Sequence, residues 1–142
     1  MSRLAFIAFL IGISPMIHSA RSAEPKGSKY ALIVGVSKYD PSQLVDLPSA
    51  ENDATNLAEA LITNCGFPAK NVYQMTLSEV IARKSLRYAP TAPKIRRTLS
   101  NLFKVCTSND TLVVAFTGHG VQFKGENEIF YCPDDADLGD RT

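Results

Sequence analysis

The stretch Thr111-Leu-Val-Val-Ala-Phe-Thr-Gly-His-Gly120 ends an apolar, β-branched run in an imidazole flanked by two glycines. Such a run predicts a buried strand, and the Gly-His-Gly break delivers His119 to its lip, where open α/β sheets keep their chemistry. Glycine on each side lets the backbone turn sharply and lets a substrate chain approach closely. Near neutral pH an imidazole can take a proton from a thiol and hand one to a leaving amine. The thiols on offer are Cys65, Cys106 and Cys132, and none has the neighbourhood that activates a nucleophile. Cys65 falls at a predicted helix end, Cys106 is expected to face the core before a turn, and Cys132 lies in the second arm of a predicted hairpin, followed by Pro133. Three cysteines in an exported chain argue against a closed disulfide framework, so buried thiols are expected. Their spacing fits no zinc pattern, and no metal site is expected. Asp134, Asp135, Asp137 and Asp140 offer the oxygens that calcium takes, but in no fixed loop pattern; a solvated acidic loop is expected, with calcium as the alternative.

The elements that must hold His119 follow from pattern. Tyr30-Ala-Leu-Ile-Val-Gly-Val36 is a continuous apolar run of the length and branching of a strand buried on both faces. Pro48 or Ser49 opens a helix with Glu51 and Asp53 in its first turns, where the macrodipole favours negative charge. Ala54, Leu57, Ala58, Leu61 and Ile62 form its apolar face, and Gly66 is its left-handed cap, with Pro68 just beyond. A short strand is predicted over 71–76, and an irregular connection or short helix over 77–89. Pro90-Thr91-Ala92-Pro93 starts another helix with Ile95, Leu99, Leu102, Phe103 and Cys106 inward. Asn109-Asp110 turns into the strand 111–116, expected to be central in its sheet. Segments 121–124 and 128–131 then flank Gly125-Glu126-Asn127 as a hairpin. Strand, helix, strand, helix, strand, hairpin is the first half of an open, three-layer α/β sheet, mostly parallel.

The 142 residues, 45% hydrophobic and 20% charged, fit one domain. A short basic start, the apolar run from Leu4 to Ile13, Pro15 and the small-x-small site Ala20-Arg21-Ser22 read as a signal peptide over 1–22. The run is about half of the roughly 20 residues that span a bilayer. Export is therefore expected, with a polar linker over 23–29 and no membrane association after cleavage. Cleavage removes two of the 15 basic side chains, Arg3 and Arg21, and none of the 14 acidic ones. That balance gives no reason to expect nucleic acid or an anionic membrane as partner. Lys94, Arg96 and Arg97 are read as a solvated helix face.

From Lys29 to about Asp137 the chain resembles the caspase-like cysteine peptidases, the clan of caspases and metacaspases. The resemblance rests on Tyr30-Ala-Leu-Ile-Val-Gly-Val36, Leu47-Pro-Ser-Ala-Glu-Asn-Asp-Ala54, Gly66-Phe67-Pro68, Pro90-Thr91 before a helix, Asp110 to Gly120, and Tyr131-x-Pro-x-Asp135. It implies an αβα caspase-like fold, a peptide or protein substrate, and His119 as the histidine of a Cys-His dyad. Gly120 would lie by the oxyanion pocket, because a tetrahedral intermediate needs backbone N–H donors nearby. Asp53 matches an acidic specificity-pocket residue of metacaspases and would favour Arg or Lys before the scissile bond; its other reading is a carboxylate that complements the helix N-terminus. Thr117 matches a small hydroxyl residue at the rim of that pocket, or is an ordinary strand end.

The family's nucleophile follows its histidine by about 50 residues in an Ala-Cys-x-Gly type signature, and Thr142 is the last residue here. The expectation is an incomplete caspase-like domain over 30–142, inactive as it stands, whose missing C-terminal half or partner chain carries the cysteine. Its third-strand edge would then be long, apolar and unpaired, an aggregation site. The alternative is a non-catalytic caspase-like interaction module. An unrelated α/β hydrolase would need a Gly-x-Ser-x-Gly elbow, which is absent.

Overall fold

The computed structural model describes residues 27–40 and 42–139. The expected signal segment 1–22, residues 23–26 of the linker and Asp140 lie outside the described residues. Strand β1 (Lys29–Gly35) leads to helix α1 (Ala50–Thr63), β2 (Val72–Met75), a short α2 (Leu77–Ala82), α3 (Ala92–Val105) and β3 (Thr111–Thr117). The two-residue strands β4 (Gly120–Val121) and β5 (Phe130–Tyr131) follow. Lys29, assigned to the linker from sequence, is already in β1.

The three longer strands form one parallel sheet in the order β2-β1-β3. Ala31, Leu32, Ile33 and Val34 of β1 have no exposed surface, as the unbroken apolar run predicts for a strand covered on both faces. Its alternate side chains enter two cores. Ala31 and Ile33 pack with Ala54, Ala58 and Leu61 of α1, while Leu32 and Val34 pack with Met75, Ile95 and Leu102 on the α3 side. The sheet is thus the middle of three layers, an α/β arrangement of caspase-like type.

Sequence placed three features wrongly. Ile62 and Phe103 are exposed; each lies one residue past a buried leucine, and the 100° that a helix turns per residue carries it off the packed stripe. Cys106 is the C-cap residue of α3 and lies beyond its inner face. Strand β3 is an edge among the described residues, and its Val114 and Phe116 are exposed, the long apolar edge expected of an incomplete domain whose next strand is not in this sequence. The hairpin is shorter than predicted, only Gly120–Tyr131 and Val121–Phe130 being paired.

Two carboxylates tie the connections down. Asp135 Oδ1 accepts the N–H of Ala92 at 2.7 Å from 43 residues away and caps α3, whose N-cap Thr91 makes no side-chain cap bond. Glu51, in the first turn of α1, accepts the Ser37 hydroxyl at 2.7 Å, the Ser78 N–H at 2.9 Å and the Ser78 hydroxyl. It therefore joins the exit of β1 to the start of α2. Burial would push its carboxyl up, but the bonds from Ser78 and Ser37 and the Leu77 N–H outweigh it and hold it below the usual range.

A carboxyl held low in the fold adds stability above its unfolded pKa, about 4.3, that disappears as pH falls through the lower folded value. Glu51→Gln should accordingly cost about 1–2 kcal/mol in urea unfolding at pH 7. The gap between variant and parent should shrink steadily as the titration is taken below pH 4.

Candidate active site

Residues Gly118 and His119 connect β3 to β4 at the carboxyl end of the parallel sheet. Gly118 has φ 153, and a Cβ there would lie 2.6 Å from the Tyr39 Oη and 3.1 Å from the Tyr131 ring and hydroxyl. The glycine before the histidine is required because two tyrosines occupy the space of a side chain. Those tyrosines also fix the turn. Tyr39 Oη accepts the His119 N–H at 3.0 Å and donates to the Cys132 carbonyl at 3.2 Å. The Tyr131 hydroxyl donates to the Thr117 carbonyl at 3.1 Å, and the Cys132 N–H reaches the His119 carbonyl at 2.9 Å. The imidazole stands edge-on to the Tyr39 ring, with centroids 4.9 Å apart.

His119 Nε2 lies 2.7 Å from the Val45 carbonyl oxygen. A carbonyl only accepts, so Nε2 carries the proton of the neutral ring and Nδ1 keeps its lone pair. The loop that presents Val45 is folded on itself. Lys38 pairs with Asp46 at 2.6 Å, the Tyr39 N–H also reaches Asp46, and the Leu47 N–H bonds the Ser37 carbonyl. At its far side Gln43 accepts the Leu138 N–H at 2.6 Å and donates to Asp137 at 3.2 Å. Arrangement of the imidazole therefore depends on a loop some 75 residues upstream in sequence, a backbone carbonyl and a phenol.

The other predicted site residues gather at the same end of the sheet. Thr117 Oγ1 donates to the Ala50 carbonyl at 2.7 Å and lies 3.3 Å from that of Val34, so its hydroxyl joins the end of β3 to the start of α1. Asp53, one turn along α1, is exposed, and its carboxylate has no ion-pair partner among the described residues. Gly120 opens β4, where a Cβ would meet Ile129 at 3.3 Å. Asp135 and Asp137 are engaged in the bonds above, and Asp134 is held above the usual carboxylate range by burial and by Asp135 and Glu51. No group of three His, Cys, Asp or Glu that could hold a metal ion occurs among the described residues.

The thiols are separated from the imidazole or disabled. The Cys65 carbonyl accepts the Lys29 ammonium at 2.6 Å, and Cys106 closes α3 shortly before β3 begins. Both lie at the amino end of the strands, the length of a seven-residue strand from His119, or about 20 Å at 3.3 Å per residue. Cys132 is near His119 but buried, just past β5, and burial pushes its thiol up, away from the thiolate. Sequence reasoning singled out His119 and passed over Tyr39 and Val45, which hold it, and Gln43, which ties down their loop. Tyr131 carried a signal, as the first residue of the Tyr-x-Pro-x-Asp series.

A family model described as metacaspase, peptidase C14 domain matches residues 29–137. Metacaspase-1A of Aspergillus oryzae is 28% identical over 134 residues, 89% of this chain and 30% of that protein. Metacaspase-4 of Arabidopsis thaliana is 28% identical over 99 residues, 70% of this chain and 22% of that protein. Metacaspase-3 of the same plant is 30% identical over 98 residues, 69% of this chain and 25% of that protein. The chain thus spans less than a third of the length of each of these relatives.

The Gly118–Tyr39 contact makes a coupled pair. Tyr39→Phe should cost about 1–2 kcal/mol through its two lost hydrogen bonds, and Gly118→Ala about 1–3 kcal/mol through strain and the clash with the hydroxyl. In the double variant the hydroxyl is gone, so its cost in urea unfolding should fall short of the sum by at least about 0.5 kcal/mol.

Proposed function

The chain belongs to the metacaspase family of cysteine-type peptidases, and from that premise we propose that it supplies the histidine half of a Cys-His endopeptidase centre. The observation that carries this reading is the Nε2–Val45 contact, which leaves Nδ1 as the basic atom on an imidazole held in one orientation. In the reaction Nδ1 takes the proton of an incoming thiol as the sulfur attacks the scissile carbonyl. The same proton then goes to the departing amine, leaving a thioester that water hydrolyses. The Gly120 N–H is assigned to the oxyanion of the tetrahedral intermediate.

Asp53 is assigned to binding Arg or Lys before the scissile bond. Its exposure, its lack of an ion-pair partner among the described residues and its place one turn from the Thr117–Ala50 link support that role. Thr117 contributes by fixing that corner through its hydroxyl. The thiol comes from a further segment or partner chain, because Cys65 and Cys106 are remote and Cys132 is buried with its proton retained. No metal or organic cofactor is assigned to these steps. Export under the signal segment 1–22 completes the reading.

The test is cleavage of Arg- and Lys-containing peptides. The 142-residue chain alone should leave them intact; thiol-dependent cleavage by it that His119→Ala abolishes would overturn the assignment of the cysteine. When the cysteine-bearing segment of a metacaspase is added in trans, cleavage should appear. His119→Ala should then lower kcat/KM by about 10²–10⁴-fold, and Asp53→Asn should remove the preference for basic residues. A non-catalytic interaction module is the second reading, favoured by the exposed Val114 and Phe116 on the β3 edge. A specific complex that forms without any cleavage in trans would select it.

A further inference from the structure

The edge of the sheet opposite His119 carries a concentration of positive charge that the near-neutral composition hides. Two cavities adjoin there across β2 and share Tyr73 and Arg87. The larger, about 400 Å³, is also lined by Arg97, Thr98 and Asn101 of α3. The smaller, about 260 Å³, is lined by Lys70, Gln74, Arg83 and Tyr88. No acidic side chain lines either cavity.

Tyr88 gathers two of these cations on one ring, the Arg83 guanidinium at 4.8 Å and that of Arg87 at 6.0 Å from its centroid. Like charges brought together repel unless an anion lies between them, and only Arg83 has a carboxylate partner, Glu79. Lys70, Arg87 and Arg97 have no ion pair among the described residues. Arg97 is exposed, as the sequence reading of a solvated face has it, and lines the larger cavity from that position.

We propose that this double cavity is a binding site for a compact small molecule carrying two or more phosphate groups. Planar guanidinium forks match phosphate oxygens in pairs. Thr98 and Asn101 add neutral donors, and Tyr73 supplies an apolar wall. The larger cavity suits a small molecule, since small-molecule sites run from about 300 to 1,000 Å³, and the smaller one extends it. The site is independent of the histidine centre, which follows β3 on the other side of the sheet.

Calorimetric titration of the full chain with inorganic pyrophosphate at low salt tests the site. Saturable one-to-one binding is expected, weakened at least about tenfold by Arg87→Gln and by Arg97→Gln. Lys124→Gln, an exposed change of equal charge on the β4–β5 loop, should alter it less than twofold. Pyrophosphate should also raise the midpoint of thermal unfolding of the parent and not of Arg97→Gln, a readout that stands if Arg87→Gln fails to fold. The proposal is overturned if binding is not saturable, if Lys124→Gln weakens it as much as the arginine changes, or if a tri-glutamate peptide binds as tightly.

Discussion

Strand β1 is paired along both edges and covered on both faces, and the remaining elements take their positions from it. Its backbone groups bond β2 on one side and β3 on the other, while its alternate side chains enter two separate cores. A strand in that position has no room for a polar side chain and no unpaired backbone group to leave. Register follows: Lys29 to Gly35 lies opposite Thr111 to Thr117 residue for residue. The end of β1 and the end of β3 are therefore level. Each releases its connection at the same edge, one into the loop before α1 and the other into Gly118-His119.

That levelling brings the candidate centre together. The loop leaving β1 carries Tyr39 and Val45 over the histidine, and Thr117 fastens β3 to the first residue of α1. Charge and shape at the opposite edge of the sheet are organised separately. There the short α2 and the single helical turn at Leu86–Tyr88 bring Arg83 and Arg87 onto one aromatic ring. One sheet thus carries the held imidazole of His119 beside β3 and a cationic hollow beside β2, with the fully buried β1 between them.

Sequence disclosed what depends on side-chain identity and short spacing. The unbroken run of β1, the Ala54–Ala58–Leu61 stripe, the left-handed Gly66 at φ 68 and His119 at the end of β3 were all legible. What depends on distant partners was not. Val45 acts through its carbonyl, which every residue possesses, so no pattern could single it out. Tyr39 looks like any loop tyrosine until Gly118 is seen beneath its hydroxyl. Asp135 resembled one member of a solvated acidic loop because the helix it caps lies 43 residues away. Lys70, Arg83, Arg87 and Arg97 were invisible as a group because net charge sums over the chain without regard to place.

The Gln43–Leu138 bond spans 95 residues of sequence and the Tyr39–Cys132 bond 93. A ribosome adding about 5–20 residues per second makes the first partner several seconds before the second. During that interval β1 and α1 can associate, but the Tyr39 loop has nothing to close upon, and α3 exists before its Asp135 cap. The geometry around His119 therefore waits for residues 132–138, and the order of translation keeps the imidazole unaligned until β3 and the segment after it have been made.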